Sequence, residues 1–225
     1  ALVRCETYDD EAVCAAVEKG LKLIGGVSNL VKPGESIVMK PNVLYGTNPE
    51  KGVCTHPSVF RAVGIMLKKA GARVSYGDSP SFGSSRMHMG RAGLKRVADE
   101  LGIERADFDK GRTVSHKEAL LIKSFVVANG GLDSDGLVNL PKLKTHPLVR
   151  FTGAIKNQFG CIPGLLKSQY HVKLVDPYDF AAMLVDLNTL TRPRFCVMDG
   201  IVAMEGNGPR SGKLTKLNVL LFSSD

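Results

Sequence analysis

The stretch between Gly136 and Val175 contains six lysine or arginine residues and no aspartate or glutamate. Leucine, valine, phenylalanine and isoleucine alternate with these cations, which is not typical of a solvated charge run. The cations are Lys142, Lys144, Arg150, Lys156, Lys167 and Lys173. Cations on partly buried backbone need an anionic counterpart. That counterpart is either a carboxylate distant in the sequence or a bound anion, and we favour a bound anion over a plain basic surface patch.

Two residues of this stretch could also transfer protons. A desolvated lysine can lose its proton and act as a base or nucleophile, so we predict a catalytic role for Lys156. Lysines near His146 should lower its pKa and favour the neutral, proton-accepting imidazole, so we predict that His146 is catalytic too. A helix beginning near Thr152 would bring the Lys156 amine close to N-terminal amides. We expect Lys167 to matter less, since nothing around it in the sequence demands burial.

Other polar residues would complete the site. The predicted substrate-binding residues are Lys40, Asn42, Asp78, Lys142, Lys144, Thr152 and Asn157. Two carboxylates, Asp199 and Glu205, stand in a glycine-containing segment and could neutralise lysines, orient His146 or bind a divalent metal. A tight turn with Glu205 exposed is the competing interpretation. The cofactor is otherwise unknown.

The elements that would position these residues alternate along the chain. Predicted helices cover residues 10–23, 57–70, 86–101 and 178–190, and predicted strands cover 36–39, 73–76, 124–128, 137–140, 195–198 and 217–222. This alternation predicts an α/β fold with a mostly parallel sheet flanked by helices. Polar residues follow most of the strands, which places the site at the carboxyl edge of the sheet.

Size and composition limit the class of protein. The 225 residues are 44% apolar and 23% charged, which predicts a single α/β domain spanning 1–225. The last strand has no closing helix after it, so we expect the natural domain to continue beyond Asp225. No apolar stretch reaches the length of a membrane span, so we expect no membrane partner.

Charge and cysteine usage indicate partners and location. The net charge of +8 raises nucleic acid as a partner, but aromatic residues are only 6% and no nucleic-acid motif is present. A small anionic molecule therefore ranks ahead of nucleic acid. The five cysteines are scattered singly, which favours a reducing cytoplasm over a disulfide framework. With no CxxC pair, we expect no cysteine-ligated iron–sulfur cluster in this segment.

Five segments resemble the family called domain of unknown function 362. They are Lys40-Pro41-Asn42, Thr55-His56-Pro57, Asp78-Ser79-Pro80, LPKLKTHPLVRFTGAIKNQFGCIPG and MDGIVAMEGNGPRSG. The resemblance extends over nearly all of the chain. Members are often described as iron–sulfur centre proteins, because many carry a ferredoxin-like module with clustered cysteines. The resemblance therefore implies such a module as a partner in the full-length protein.

A weaker resemblance is to the nickel-pincer lactate racemase family, whose pattern is HxxxxFSGGxK followed by Pro-Gly. Residues at the same spacing here are His146, Phe151, Thr152, Gly153 and Lys156, with Pro163-Gly164 slightly later. In that family the histidine is catalytic and the lysine anchors the cofactor. Ala154 replaces the second glycine, and no second catalytic histidine motif is present. The resemblance implies a shared scaffold and anion site.

Three functions follow from these observations. The first is an enzyme that acts on a small carboxylate- or phosphate-bearing substrate with a lysine and histidine site. The second is a redox accessory domain of an iron–sulfur protein whose cluster module lies outside this segment. The third is a non-catalytic module that binds anions or nucleic acid.

Overall fold

The computed structural model describes residues 1–225 and is built around a nine-stranded sheet. Its main strand order is β1 (Leu2–Arg4), β11 (Lys213–Ser223), β10 (Phe195–Glu205), β7 (Gly136–Leu140), β2 (Ser36–Pro41), β3 (Arg73–Tyr76) and β4 (Glu104–Arg105). Strand β8 (Lys142–His146) pairs with β10 and with β9 (Arg150–Thr152). Strands β5 (Gly111–Ser115) and β6 (Ser124–Ala128) form a separate antiparallel pair.

The central strands run parallel, as the sequence predicts. Strands β10, β7, β2, β3 and β4 are parallel to one another, and β11 runs antiparallel to both β10 and β1. Parallel strands are usually covered on both faces. Accordingly, every residue of β2 after Ser36 and every residue of β7 after Gly136 is buried. The α/β class with a mostly parallel sheet is therefore confirmed.

Helices cover both faces of this sheet. Their bounds are α1 (Asp10–Leu23), α2 (Val27–Leu30), α3 (Pro57–Lys69), α4 (Ser85–Arg91), α5 (Leu94–Leu101), α6 (Asn129–Leu132), α7 (Ala154–Asn157), α8 (Leu166–Lys173) and α9 (Pro177–Thr191). Ile37 and Met39 of β2 belong to the core beneath α1 and α3, whereas Val38 belongs to the core beneath α9. This division follows from the alternation of side chains along a strand. None of the helices is long and apolar enough to cross a membrane.

Two local predictions were wrong. The single helix predicted over 86–101 is divided into α4 and α5, because Gly93 adopts a φ of 74°. The segment 142–146, which is not among the predicted strands, forms β8. The buried positions of β8 are occupied by Lys142 and Lys144, so its burial pattern is the reverse of an ordinary amphipathic strand. Hydrophobic alternation therefore could not reveal it.

One buried carboxylate joins α9 to the turn between β5 and β6. Asp186 accepts hydrogen bonds from the backbone amides of Leu120, Leu121 and Ile122 at 2.6, 2.9 and 2.8 Å. Burial alone would raise the pKa of Asp186, but these three amides outweigh it and the pKa is lowered. The carboxylate is thus held ionised by backbone donors.

We expect Asp186→Asn to destabilise the fold by about 1–3 kcal/mol at pH 7, because the amide nitrogen would face backbone donors. The folded pKa is lowered, so the wild-type advantage is present above about pH 4 and is lost as the pH falls through the folded pKa. Urea unfolding at several pH values measures both the loss of stability and its dependence on pH. Asp176→Asn is the control, since Asp176 caps α9 and asparagine caps equally well. Similar losses of stability for both variants would contradict the role of Asp186 as an ionised acceptor of three backbone amides.

Candidate functional site

A cavity of about 350 Å³ opens at the carboxyl edge of the parallel strands. Asn42 follows β2 and Asp78 follows β3, while Lys144 and His146 lie on β8, which continues from β7. The cavity therefore lies where the fold class predicts a ligand site.

Seven predicted site residues line the cavity and four do not. Those in the lining are Asn42, Asp78, Lys144, His146, Thr152, Lys156 and Asn157. The others are Lys40, Lys142, Asp199 and Glu205.

Lys40 lies directly behind the cavity. Its Nζ atom is 2.7 Å from Asp78 Oδ1 and 3.3 Å from the carbonyl oxygen of Pro41, and its side chain is fully buried. Asp78 Oδ2 accepts a hydrogen bond from the amide of Val43 at 3.0 Å. The single carboxylate in the cavity lining is therefore occupied on both oxygens.

Lys144 and Lys167 are buried against neutral oxygens. Lys144 Nζ donates to Asn42 Oδ1 and to the carbonyl oxygen of Val53. Lys167 Nζ donates to the carbonyl oxygens of Ser79 and Ile162, each at 2.7 Å. Burial lowers the pKa of Lys144 to about 7 and that of Lys167 to about 8.

The expectation that nothing demands the burial of Lys167 was therefore wrong. Only 4% of its surface is exposed, and it belongs to the cavity lining. Its burial depends on the carbonyl oxygens of Ile162, which is near in sequence, and of Ser79, which is 88 positions away, and sequence patterns do not show such contacts.

A chain of carboxamides supports the cavity. Asn42 Nδ2 donates to Asn157 Oδ1 at 2.9 Å, and Asn157 Nδ2 donates to Asn139 Oδ1 at 2.8 Å. Asn139 Nδ2 in turn donates to the carbonyl oxygen of Ala154 at 2.9 Å. Because Asn42 also accepts from Lys144, this network joins β2, β7, β8 and α7 beneath the cavity.

Lys156 differs from the other lysines of the cavity. It is half-buried, and no oxygen of the chain accepts a hydrogen bond from its Nζ atom. Instead the Nζ atom lies 4.7 Å from the ring centroid of Phe159 and 6.0 Å from that of Phe180. Burial first, and then the nearby charge of Lys40, lower the pKa of Lys156 to about 8. The sequence predicted that the Lys156 amine lies beside helix amides. In the structure it lies over two aromatic rings instead.

Thr152 is a second group without a partner. Its hydroxyl is buried, makes no hydrogen bond within the chain and belongs to a residue of the cavity lining. A buried hydroxyl with no partner costs roughly 1–3 kcal/mol. A ligand oxygen in the cavity would remove that cost.

His146 is half-buried and faces the cavity as a hydrogen-bond donor. Its Nδ1 accepts from the backbone amides of Leu148 and Val149 at 3.2 and 3.4 Å, so a neutral ring carries its proton on Nε2. Burial, reinforced by the charge of Lys156, lowers the pKa of His146 to about 4. The ring is neutral, as expected, but its accepting nitrogen is already used. The predicted role as a proton acceptor therefore does not match this geometry.

Asp199 and Lys142 form a separate buried cluster. Lys142 Nζ donates to Asp199 Oδ2 at 2.8 Å and to the Tyr8 hydroxyl at 2.7 Å, and Tyr8 donates to Asp199 Oδ1 at 2.8 Å. The backbone amide of His56 also donates to Asp199, and the His56 ring stacks on Tyr8 with centroids 3.6 Å apart. The counterpart of Lys142 is thus a carboxylate distant in sequence.

The predicted metal pair is not brought together. Asp199 is fully buried, whereas Glu205 is exposed and contacts Lys213 and Thr215. They lie six positions apart on one strand, roughly 20 Å at the usual rise per residue. No group of three or more histidine, cysteine, aspartate or glutamate side chains in the chain could hold a metal ion.

The chain matches the family described as Domain of unknown function (DUF362) over residues 37–225. The chain belongs to this family. It is 34% identical over 226 residues to the thylakoid-associated protein sll1697 of Synechocystis sp., and the match covers all of this chain and 70% of that protein. The family resemblance of the sequence is therefore confirmed.

The fold is similar to that of the lactate racemase apoprotein from Thermoanaerobacterium thermosaccharolyticum. The TM-score is 0.62 at 11% identity, and the match covers 99% of this chain and 54% of that chain. This chain thus spans about half the length of the racemase. The similarity shows a shared fold.

The cavity offers few free ligands for a nickel-containing cofactor. Nickel is bound by imidazole, thiolate or carboxylate groups. The lining contains two imidazoles, those of His146 and His171, and His146 Nδ1 already accepts from backbone amides. The one lining carboxylate, Asp78, is paired with Lys40, and no cysteine lines the cavity. Lysines and neutral donors dominate the polar lining, which suits an anion better than a cation.

Sequence reasoning missed several residues of the cavity lining, among them Ser79, Gly160, His171 and Arg210. Arg210 does stand in the family motif MDGIVAMEGNGPRSG, which was its one available signal. A Cβ atom on Gly160 would overlap the Asp78 carboxylate and lie 2.6 Å from Lys40 Nζ. Glycine is therefore required beside this ion pair.

We expect Gly160→Ala to destabilise the protein by about 1–3 kcal/mol, because the added methyl group must displace the buried Lys40–Asp78 pair. Gly90→Ala is the matched control, since a Cβ atom at Gly90 of α4 meets nothing within 4 Å. The control should be neutral or stabilising by up to about 1 kcal/mol. Chemical denaturation of both variants provides the comparison, and equal effects would refute the steric argument.

We expect the imidazole of His146 to remain neutral between pH 5.5 and 8, with its proton on Nε2, because burial and nearby lysines oppose a second proton. Nitrogen-15 chemical shifts of the ring report both protonation and tautomer. An unfolded reference should titrate near pH 6.5. A midpoint between pH 6 and 7 in the folded protein, or a proton on Nδ1, would be incompatible with this geometry.

Proposed function

We propose that the protein is an enzyme that acts on a small carboxylate- or phosphate-bearing molecule bound in the cavity beside Lys156. One observation carries the proposal. Lys40, Lys142, Lys144 and Lys167 each have oxygen acceptors within the chain, whereas the Lys156 amine has none. A partly buried cation without a counterpart is satisfied by a bound anion.

Neighbouring groups support an anion at this position. The unpartnered Thr152 hydroxyl and the Nε2–H group of His146 are both donors in the cavity lining. Lys144 and Lys167 add positive charge, and each uses only two of its three ammonium hydrogens on protein oxygens. A carboxylate or phosphate group would supply acceptors for all of these donors.

Lys156 is the residue that we assign to proton transfer. A pKa of about 8 leaves both the ammonium and the free amine populated near neutral pH. General acid–base catalysis is most effective when the pKa of the group lies near the working pH. His146 then serves as a donor that orients the substrate, in place of the proton acceptor that the sequence suggested.

Burial of the basic residues favours a small molecule over nucleic acid. Lys142, Lys144 and Lys167 are at most 4% exposed, so they cannot reach a nucleic-acid backbone. Their charges act only within the cavity and its supporting cluster. Electrostatic binding of nucleic acid depends instead on accessible lysine and arginine.

A reducing compartment such as the cytoplasm is part of the proposal. All five cysteines are free, and four of them are buried. Free cysteines of this kind are typical of proteins in reducing surroundings.

We expect Lys156→Met to weaken the binding of inorganic phosphate or acetate by about 10- to 100-fold, because one charge-assisted contact is lost while the aliphatic contact with Phe159 is kept. Wild-type affinity should also fall by about tenfold between pH 7 and 9, since an amine with a pKa near 8 loses its charge over that range. Calorimetric titration measures both effects.

Lys173→Met is the control for this experiment. Lys173 is exposed and does not line the cavity, although it belongs to the same basic stretch. Its replacement should change anion affinity by less than twofold. Equal losses of anion affinity for the two variants would show that the stretch is a generic basic surface, and would refute the proposal.

A further inference from the structure

Arg210 is a second cavity cation without a partner. It lies in the loop between β10 and β11 and lines the same cavity as Lys156. Its guanidinium carbon is 4.9 Å from the ring centroid of Tyr45. None of the side-chain hydrogen bonds or ion pairs of the chain involves this guanidinium, so its N–H donors have no protein acceptor. Stacking on an aromatic ring orients a guanidinium and leaves those donors free.

The aromatic platform is fixed independently of Arg210. Tyr45 is half-buried and packs against the larger hydrophobic core. It belongs to a turn closed by a hydrogen bond from the Gly46 amide to the Val43 carbonyl oxygen at 2.9 Å. Gly46 has a φ of 62°, and a Cβ atom there would overlap the backbone of His88. The ring on which Arg210 stacks is therefore held by tight packing.

The loop that carries Arg210 is also fixed, and the strand that fixes it contributes to the cavity. Thr145 Oγ1 donates to the carbonyl oxygen of Gly206 at 3.0 Å, and the Gly208 amide donates to Thr145 Oγ1 at 3.2 Å. Thr145 stands between Lys144 and His146, which line the cavity. Strand β8 therefore presents two side chains to the cavity and uses the intervening one to hold the loop.

Two cations of the cavity have no hydrogen-bond acceptor within the chain. Asp78 is neutralised by Lys40, and Lys144 and Lys167 donate to neutral oxygens. Lys156 and Arg210 remain, on two different elements, α7 and the β10–β11 loop. The volume of about 350 Å³ holds roughly ten water-sized groups, which exceeds the size of a single carboxylate or phosphate.

We propose that Arg210 binds a second anionic group, so that the substrate carries two separated carboxylate or phosphate groups. This inference rests on the proposed function in one respect: Lys156 binds the first group. A guanidinium binds carboxylate and phosphate through paired N–H donors, which fixes the orientation of the ligand as well as its charge. Arg210 is thus a specificity-determining residue that selects two-anion substrates over those with one anionic group.

The test compares ligands with one and two anionic groups by calorimetric titration. Propionate and methyl phosphate are the single-anion probes. Succinate, glutarate, adipate and 3-phosphonopropionate are the two-anion probes, and they span a range of separations. The proteins are the wild type, Arg210→Gln, Lys156→Met and Arg91→Gln. Arg91 is an exposed arginine that does not line the cavity, so it is the matched control.

We expect wild-type protein to bind at least one two-anion probe about tenfold more tightly than its single-anion counterpart. Arg210→Gln should remove that preference and change single-anion binding by less than twofold. Arg91→Gln should change neither. Lys156→Met should weaken the binding of both classes.

Three results would overturn the role of Arg210. They are equal affinity of the wild type for both classes, no binding of any two-anion probe at millimolar concentration, and equal losses for both classes in Arg210→Gln. Each leaves the role of Lys156 standing if Lys156→Met still weakens single-anion binding. If Lys156→Met has no effect on any probe, the proposed function itself fails.

Discussion

The burial of lysine ammonium groups at one sheet edge is the constraint on which the rest of this site depends. Lys40, Lys142 and Lys144 are at most 2% exposed, and a charge removed from water needs acceptors at hydrogen-bonding distance. Lys40 and Lys142 are paired with Asp78 and Asp199, which lie far from them in sequence. Lys144 depends on a carboxamide and a carbonyl oxygen. These contacts tie β2, the β3 exit, β8 and β10 to one another.

The same constraint accounts for the small residues and carboxamides around the cavity. Gly160 leaves room for the Lys40–Asp78 pair, since a side chain there would occupy the position of the carboxylate. Asn42, Asn139 and Asn157 are buried and pass hydrogen bonds from one element to the next. A polar interior of this kind is stable only when its members are satisfied. The Thr152 hydroxyl and the Lys156 amine are exceptions, because neither has a hydrogen-bond partner within the chain.

The proposed function follows from the contrast between polar groups that have hydrogen-bond partners within the chain and those that have none. Lys142 and its partners Asp199, Tyr8 and His56 make a closed cluster whose polar groups satisfy one another. Lys156 and Arg210, by contrast, bring charge to the cavity without a protein counterpart. The racemase-like fold supplies a parallel sheet whose carboxyl edge suits a ligand. The side chains at that edge decide which ligand is bound, and the two cations without acceptors are the basis of the anion site that we propose.

The sequence alone determined the fold class, the position of the cavity at the carboxyl edge and seven of the eighteen residues that line it. It did so because helix and strand periodicity and polar strand ends are local properties of the chain. It did not reveal β8, whose buried positions are lysines, or the burial of Lys167 against carbonyl oxygens of Ser79 and Ile162. Only the tertiary structure decided which cations find a partner, because most of those partners come from residues tens of positions away. The sequence does not show this pairing. The pairing distinguishes Lys142, which is a structural lysine, from Lys156, which is a candidate functional one.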